Sequence, residues 1–428
     1  MRIFIINYYY PPVVNAHAYR WEQIARHWAA EGYQVEVISG RAIGVKNNYK
    51  DAGVSVKRVG LTAMPTGFSS NVNSNSGVII GLRTSLLKLL RPIYRLLYWP
   101  DAMWHWVPSV ILEILRRRAT KYDLVVSYYP CAGAHLAAAV LKKWTKSAEL
   151  IWIADYGDPF STSITMPPNN FSLYRRLNEI FERYLLCSAN ACVFTNEDTA
   201  AKYEGLICQS EKVKVIPHLV DVKKFYAGSC SLSQSAAEFP SARLINLVYI
   251  GGFHREIREP TQLFELMRQL NKETSSVFRL TIYGPENGFN LSPDDCPYIE
   301  YKGEIQRGQA VELIGNADIL INVDNKNCAM VPSKLVEYIG TGRPLINIGI
   351  QGSENLVLQR YVADGHAHLV TPDSLATVGI EPVKEFILSK LGSVAPSQDV
   401  LRALSGNTLE VVAGEYKKLF MIARDPSS

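Results

Sequence analysis

The chain alternates strand-like and helix-like segments twice over, and one serine-rich stretch separates the two series. No other feature constrains the fold as much. Arg2 to Asn7 is a short apolar run that ends in the turn material Tyr-Tyr-Tyr-Pro-Pro. Ala18, Trp21, Ile24, Ala25, Trp28 and Ala29 then recur at helical spacing, Gly32 stops that helix, and Gln34 to Ser39 reads as the next strand. Strands follow at Leu124 to Ser127, Leu150 to Ala154, Cys192 to Thr195 and Val213 to Ile216, with helices near 133–145 and 172–188. Alternation of this kind predicts a parallel sheet covered by helices on both faces. Residues 226–242 break the pattern, and a second series starts at Leu244, with strands at Leu247 to Ile250, Arg279 to Tyr283, Ile319 to Val323 and Pro344 to Ile348. The expectation is an α/β chain of two Rossmann-like, doubly wound domains. The first spans 1–228, a linker 229–242, the second 243–405, and a final helix at 406–428 is free to pack back on the N-terminal domain. Such sheets bind ligands at the carboxyl ends of their strands, so a cleft between the domains is the expected site.

Composition adds bounds. A chain of 428 residues with 47% hydrophobic content can fill two cores, and 20% charged residues argue against disorder. The net charge of +5 suits anionic ligands but is too weak and too spread to argue for nucleic acid. Seven cysteines show no CxxC spacing and no accompanying His cluster. This pattern predicts neither a disulfide framework nor a metal site, and it points to a reducing, cytoplasmic compartment. Met-Arg-Ile-Phe-Ile-Ile-Asn runs straight into strand sequence, so no secretory leader is expected, and no apolar run is long enough to span a membrane.

The strongest chemical signal is Val331-Pro332-Ser333-Lys334-Leu335-Val336-Glu337-Tyr338, followed by Gly340, Gly342, Arg343 and Pro344. Proline suits a helix start, and the amides of Ser333, Lys334 and Leu335 would face a phosphate at the positive end of the helix dipole. Glu337 lies about 7–8 Å further along at ~1.5 Å rise per residue, roughly the span from a diphosphate to a ribose. A plain proline cap with a solvated glutamate is the alternative. PSKLVEYIGTGRP resembles the donor-binding motif of family 4 glycosyltransferases, retaining enzymes of the GT-B fold. In that family two glutamates stand eight positions apart; Glu337 matches the second, associated with the nucleotide ribose, and Ala329 occupies the first.

Further segments carry the same resemblance in order. They are NYYYPP…AYRWEQIARHWAAEGYQVEVISG at the start, VIPHLVDVKKF at 215–225, LVYIGGFHREIREP at 247–260, then FRLTIYGPE and YIEYKGEIQR. The loop from Gly251 to Arg258 follows a strand directly. Its glycines let backbone approach a ligand, and a nearby cation can meet charge developing on a diphosphate. The resemblance implies Arg258 in that role with Arg255 as second candidate, and Gly252 and Gly284 on the donor side. A surface turn with solvated arginines is the other reading. There is neither a Walker loop nor a dinucleotide GxGxxG after a strand. The strand Ile151 to Tyr156 ends in Asp155 and, just past it, Asp158, two carboxylates that could serve the reacting sugar, or simply cap and turn. Asn15, His17 and His135 are candidate acceptor-side residues, although a helix-face histidine is the plainer reading of His135.

These readings imply a hexosyltransferase-type enzyme that takes a UDP- or GDP-linked sugar to a glycan or lipid-linked acceptor, with retention, in surface polysaccharide assembly. No cofactor or metal beyond the nucleotide-diphosphate sugar is expected. A non-catalytic GT-B relative acting as a scaffold is the competing class, and a nucleotide-sugar epimerase is a third. Ala52 to Pro100 contains no acidic residue but holds Lys57, Arg58, Arg83, Lys88, Arg91 and Arg95. Within it, 79–99 interleaves cations with leucines, as a segment lying on the anionic inner face of the cytoplasmic membrane would. A core helix with a basic outer face fits equally.

Overall fold

A computed structural model describes residues 1–64, 96–117, 120–145, 149–230, 244–272, 277–292, 294, 296–326, 330, 332–349 and 355–425. The chain divides into two compact units, Met1–Pro217 with Val412–Ser428, and His218–Val411.

The first unit is built on an eight-stranded sheet, in the order β3-β4-β2-β1-β5-β6-β7-β8. Its strands are β1 (Arg2–Asn7), β2 (Gln34–Ala42), β3 (Asn48–Asp51), β4 (Val54–Met64), β5 (Leu124–Tyr129), β6 (Ile151–Tyr156), β7 (Ala191–Phe194) and β8 (Val213–Val215). All neighbours run parallel except the β3–β4 hairpin. The near-continuous apolar runs of β1, β5 and β6 are buried on both faces, as a parallel sheet requires. β1 pairs with β2 on one side and β5 on the other, so the winding reverses between β1 and β5. The helix Leu409–Arg424 lies with this unit from Val412 onward. There Tyr416 packs on Trp21 at 4.9 Å between ring centroids, and Lys417 pairs with Glu31 at 2.8 Å.

The second unit has six parallel strands in the order β11-β10-β9-β12-β13-β14. They are β9 (Leu244–Ile250), β10 (Val277–Tyr283), β11 (Ile299–Tyr301), β12 (Ile319–Val323), β13 (Leu345–Ile348) and β14 (Ala367–Val370). Side chains alternate across the sheet. Leu247, Tyr249, Ile321 and Ile346 therefore enter one core, while Val248, Ile250, Leu320 and Leu345 enter the other. Here the winding reverses between β9 and β12.

The structure departs from the sequence expectations in the domain boundary, the cysteines and two of the basic residues. Val220 and Phe225, placed by sequence in the N-terminal domain, are buried in the second unit's core, so the division falls at Pro217/His218 rather than at 228. The linker 229–242 lies outside the described residues from 231 onward. Cys187 and Cys208 form a disulfide, with Cα atoms 5.6 Å apart. Folding brings together the end of the Phe171–Ser188 helix and the loop after Glu197–Ala201, which the cysteine spacing does not reveal, so the cysteine count no longer speaks for a reducing compartment. Arg58 is buried, donating to the carbonyls of Gly40 at 2.9 Å and Tyr10 at 3.1 Å, and Lys57 pairs with Glu113 at 2.7 Å, so neither is a free surface cation. Most of the 79–99 segment, including Arg83, Lys88, Arg91 and Arg95, lies outside the described residues. Among the described residues no helix is long and apolar enough to cross a membrane.

Candidate functional site

In the second unit the predicted residues gather at the carboxyl ends of β9 and β12, where the winding reverses. Past β9, the backbones of His254 and Arg258 exchange two hydrogen bonds of 2.7 and 2.8 Å, closing a tight loop. Glu256 sits in that loop at φ 64, and Arg255 beside it is exposed. Arg258 reaches the loop after β12, with Nε and Nη2 donating to Asn325 Oδ1 at 3.1 and 2.6 Å. Asn325 Nδ2 in turn donates to the Met330 carbonyl at 2.6 Å. Burial, reinforced by the Arg258 charge, lowers the His254 pKa. Burial pushes the Asp324 carboxyl up, against hydrogen bonds from Asn347 and the nearby Arg258 charge.

Gly284, just past β10, takes φ +141, and a Cβ there would lie 2.2 Å from the Gly251 carbonyl oxygen. Only glycine permits this backbone-on-backbone approach, which brings the loops after β9 and β10 together. Gly252 lies between them, where a Cβ would stand 3.1 Å from Pro285.

The helix predicted after Pro332 is Lys334–Gly340, with Ser333 as its N-terminal flanking residue. Glu337 holds two cations at once: Arg307 Nη2 is 2.8 Å from Oε1, and Lys334 Nζ is 2.7 Å from Oε2. Burial alone would raise the Glu337 pKa, but Lys334 and Arg307 outweigh it and hold the carboxylate below its usual range. One expectation fails here. Leu335 is buried and its N–H donates to the Pro332 carbonyl at 3.2 Å, because the first turn tightens on itself, so that amide does not face a phosphate. Ala329 lies outside the described residues.

In the first unit, His17 and Asp158 meet. His17, in the opening turn of the Ala16–Ala30 helix, places Nε2 3.2 Å from Asp158 Oδ2 and Nδ1 3.2 Å from the Tyr128 hydroxyl. The Tyr9 ring lies beside His17, with centroids 6.3 Å apart. Gly157 makes the cluster possible, since a Cβ there would lie 2.2 Å from the Tyr128 oxygen. These residues sit where β1, β5 and β6 end, beside that unit's own winding reversal.

Residues 16–218 match the model of the glycosyl transferase 4-like domain. Solved structures match along essentially the whole chain. Sucrose-phosphate synthase from Thermosynechococcus elongatus superposes with a TM-score of 0.65 at 13% identity, covering 100% of both chains. A trehalose 6-phosphate synthase from Burkholderia multivorans gives 0.58 at 13% identity, over 100% of this chain and 98% of that one. Anabaena HepE, solved in complex with UDP, gives 0.56 at 12% identity, over 98% of this chain and 100% of that one. The fold is GT-B, with two Rossmann-like units in one chain. No curated protein matches the sequence.

Within the first unit, three predicted site residues take structural places instead. Asp155 is fully buried; its Oδ2 accepts from Trp21 Nε1 at 2.8 Å and lies 3.5 Å from Arg20 Nε. Burial raises its pKa, with Arg20 opposing. Strand alternation turns this carboxylate under the Ala16–Ala30 helix, while Asp158, beyond the strand, stays a third exposed. His135 is buried against Tyr129 and Tyr156, with Nδ1 2.6 Å from Ser127 Oγ, and burial holds its pKa down to about 3. It faces the core rather than an acceptor. Asn15 caps the first helix, its Oδ1 accepting from the His17 amide at 2.9 Å.

Sequence reasoning missed Arg307, Asn325, Tyr9 and Tyr128. Arg307 opens a helix that a Gln306–Gln309 capping box starts, but nothing in the sequence aims it at Glu337. Asn325 follows a predicted strand without a motif of its own.

Proposed function

We propose that the chain transfers a hexose from a UDP- or GDP-linked donor to a glycan or lipid-linked acceptor, with retention, in surface polysaccharide assembly on the cytoplasmic side of the membrane. The observation that carries this is the Arg307–Glu337–Lys334 triad, in the same unit as the Arg258–Asn325 latch. The triad offers a carboxylate for a ribose and the latch offers a fixed cation for a diphosphate. A carboxylate has about four lone-pair sites, so Glu337 can accept from ribose hydroxyls while keeping both cations. Arg258, immobilised by Asn325, stands ready for charge that grows on the departing diphosphate, and a preorganised cation of this kind lowers a barrier without reorganisation. The glycine loops at Gly252 and Gly284 allow backbone amides close to the donor, with Ser333 and Lys334 completing that side. His17 and Asp158 orient the acceptor hydroxyl, and positioning supplies much of the rate. No resident metal enters this reading. HepE, solved with UDP, with UDP and glucose, and with UDP-glucose, supports a nucleotide-sugar donor by likeness of fold.

One observation favours a second reading, a chain that binds donor without turning it over: Ala329 stands where the resembling family carries its first glutamate. Thermal-shift screening of UDP, GDP and their sugars, followed by nucleotide release with and without candidate acceptors, separates these. Release that requires an acceptor establishes transfer. Binding without release makes the chain a non-catalytic subunit, and no nucleotide binding rejects both.

A further inference from the structure

The loop that carries Asp158 is pinned by buried groups on both sides of that residue. It runs from Gly157 to Ser161, past the end of β6. The Gly157 N–H donates to the Tyr129 carbonyl at 3.3 Å, at the end of β5. The Phe160 N–H donates to the Tyr203 hydroxyl oxygen at 2.7 Å. Ser161 donates twice to one oxygen, Oε2 of Glu182, from its N–H at 3.0 Å and from its hydroxyl. Pro159 has no N–H to satisfy, and its ring fixes φ between these anchors. The Phe160 ring is buried against Tyr129 and Phe181, with centroids 5.6 and 6.2 Å away. The backbone on either side of Asp158 is thus fixed, and its Oδ2 lies 3.2 Å from His17 Nε2.

Glu182 stands out among the anchors. It is fully buried, and burial pushes its pKa up to about 7. An apolar side chain would fill the same space without the cost of desolvating a carboxylate. What the carboxylate supplies is a single oxygen that takes both donors of Ser161, and a bond to an ionised acceptor is roughly twice as strong as a neutral one. Glu182 and Tyr203 belong to separate segments, the Phe171–Ser188 helix and the turn after Glu197–Ala201. The Cys187–Cys208 disulfide joins those segments five residues beyond each anchor, which holds the two anchors together.

We propose that Glu182, aided by Tyr203, is a positioning residue for sugar transfer, holding the Gly157–Ser161 loop so that Asp158 stays against His17. Being buried, it acts through Asp158 rather than on substrate. The inference rests on the acceptor-side role given to Asp158 above.

Two readouts test it, the first without substrate. In the full chain carrying isotope-labelled histidine, the His17 ring resonances are assigned by their loss in His17→Gln. Asp158→Asn moves them, and Glu182→Ala moves them the same way. Glu182→Gln, whose amide oxygen still accepts from Ser161, leaves them in place, and Tyr203→Phe moves them part-way. His17 resonances in Glu182→Ala equal to wild type overturn the inference, as does a signal that Asp158→Asn itself leaves unmoved. The second readout is acceptor-dependent nucleotide release. Glu182→Ala lowers turnover about tenfold, short of the about hundredfold that outright misplacement costs, and leaves UDP affinity unchanged. Glu182→Gln restores turnover, and Glu182→Ala adds no loss to Asp158→Asn, because one residue acts through the other. Losses that multiply in the double variant assign Glu182 to general stability and overturn the inference. Should Glu182→Ala not fold, Tyr203→Phe with Ser161→Ala carries the same comparisons. A wild type without acceptor-dependent release rejects the transfer reading instead, and the His17 resonances still decide whether Glu182 holds Asp158.

Discussion

Arg307 and Glu337, from separate helices of the second unit, meet at 2.8 Å between Nη2 and Oε1. The pair orients a carboxylate that Lys334 grips from its other oxygen. Glu337→Ala should weaken nucleotide binding about tenfold or more, the scale of lost charge-assisted hydrogen bonds. Arg307→Ala should weaken it less, about three- to tenfold, with partial recovery in Arg307→Lys, whose compact ammonium lacks the guanidinium fork. Isothermal titration with UDP and GDP reads both, and unchanged affinity in Glu337→Ala would remove the donor assignment.

Asp155 and Asp158 are neighbours in sequence with opposite expected phenotypes. Asp155→Asn leaves Arg20 without its buried counter-charge and should destabilise by roughly 3–5 kcal/mol, seen as a large drop in melting temperature. Asp158→Asn should leave melting nearly unchanged and lower turnover by about a hundredfold, the lower end for a group that handles or orients a reacting proton. A full-activity Asp158→Asn enzyme would exclude that residue from the chemistry.

Gly284 tolerates no side chain. With φ +141 and a would-be Cβ 2.2 Å from the Gly251 carbonyl oxygen, Gly284→Ala must push the two loops apart. The expected loss is about 2 kcal/mol or more of stability, accompanied by weaker nucleotide binding. Gly288→Ala is the matched control: its φ of +80 is also positive, but nothing stands within 4 Å of the added carbon.

Stability should fall with rising pH because of Glu182. Burial pushes its pKa up from 4.5 to about 7, against hydrogen bonds from Ser161. The folded protein thus holds this proton more tightly than the unfolded chain. Its contribution is complete below pH 4.5 and is lost as pH rises through about 7. Between pH 5.5 and 8 the wild type should lose about 2 kcal/mol relative to Glu182→Gln. His135, held down by burial, slopes the other way below its ordinary value, but it is common to both proteins and cancels in the difference. Chemical denaturation of the two proteins across this range measures it, and parallel curves would reject the account.

The sequence by itself determined the two alternating series, the positions of most strands and the helix after Pro332, and it singled out Lys334, Glu337 and Arg258 as candidates. Those features are local: period, turn residues and a helix start are written in consecutive residues. Tertiary structure decided what each side chain faces. Asp155 and Asp158 look alike at the end of one strand, yet one turns under a helix and the other stays at the surface, because burial depends on the element packed above. Arg307 reaching Glu337, Asn325 holding Arg258, Cys187 meeting Cys208 and Val220 joining the second core are all contacts between segments distant in the chain. Such contacts follow from how sheets and helices stack, which no single stretch of sequence encodes.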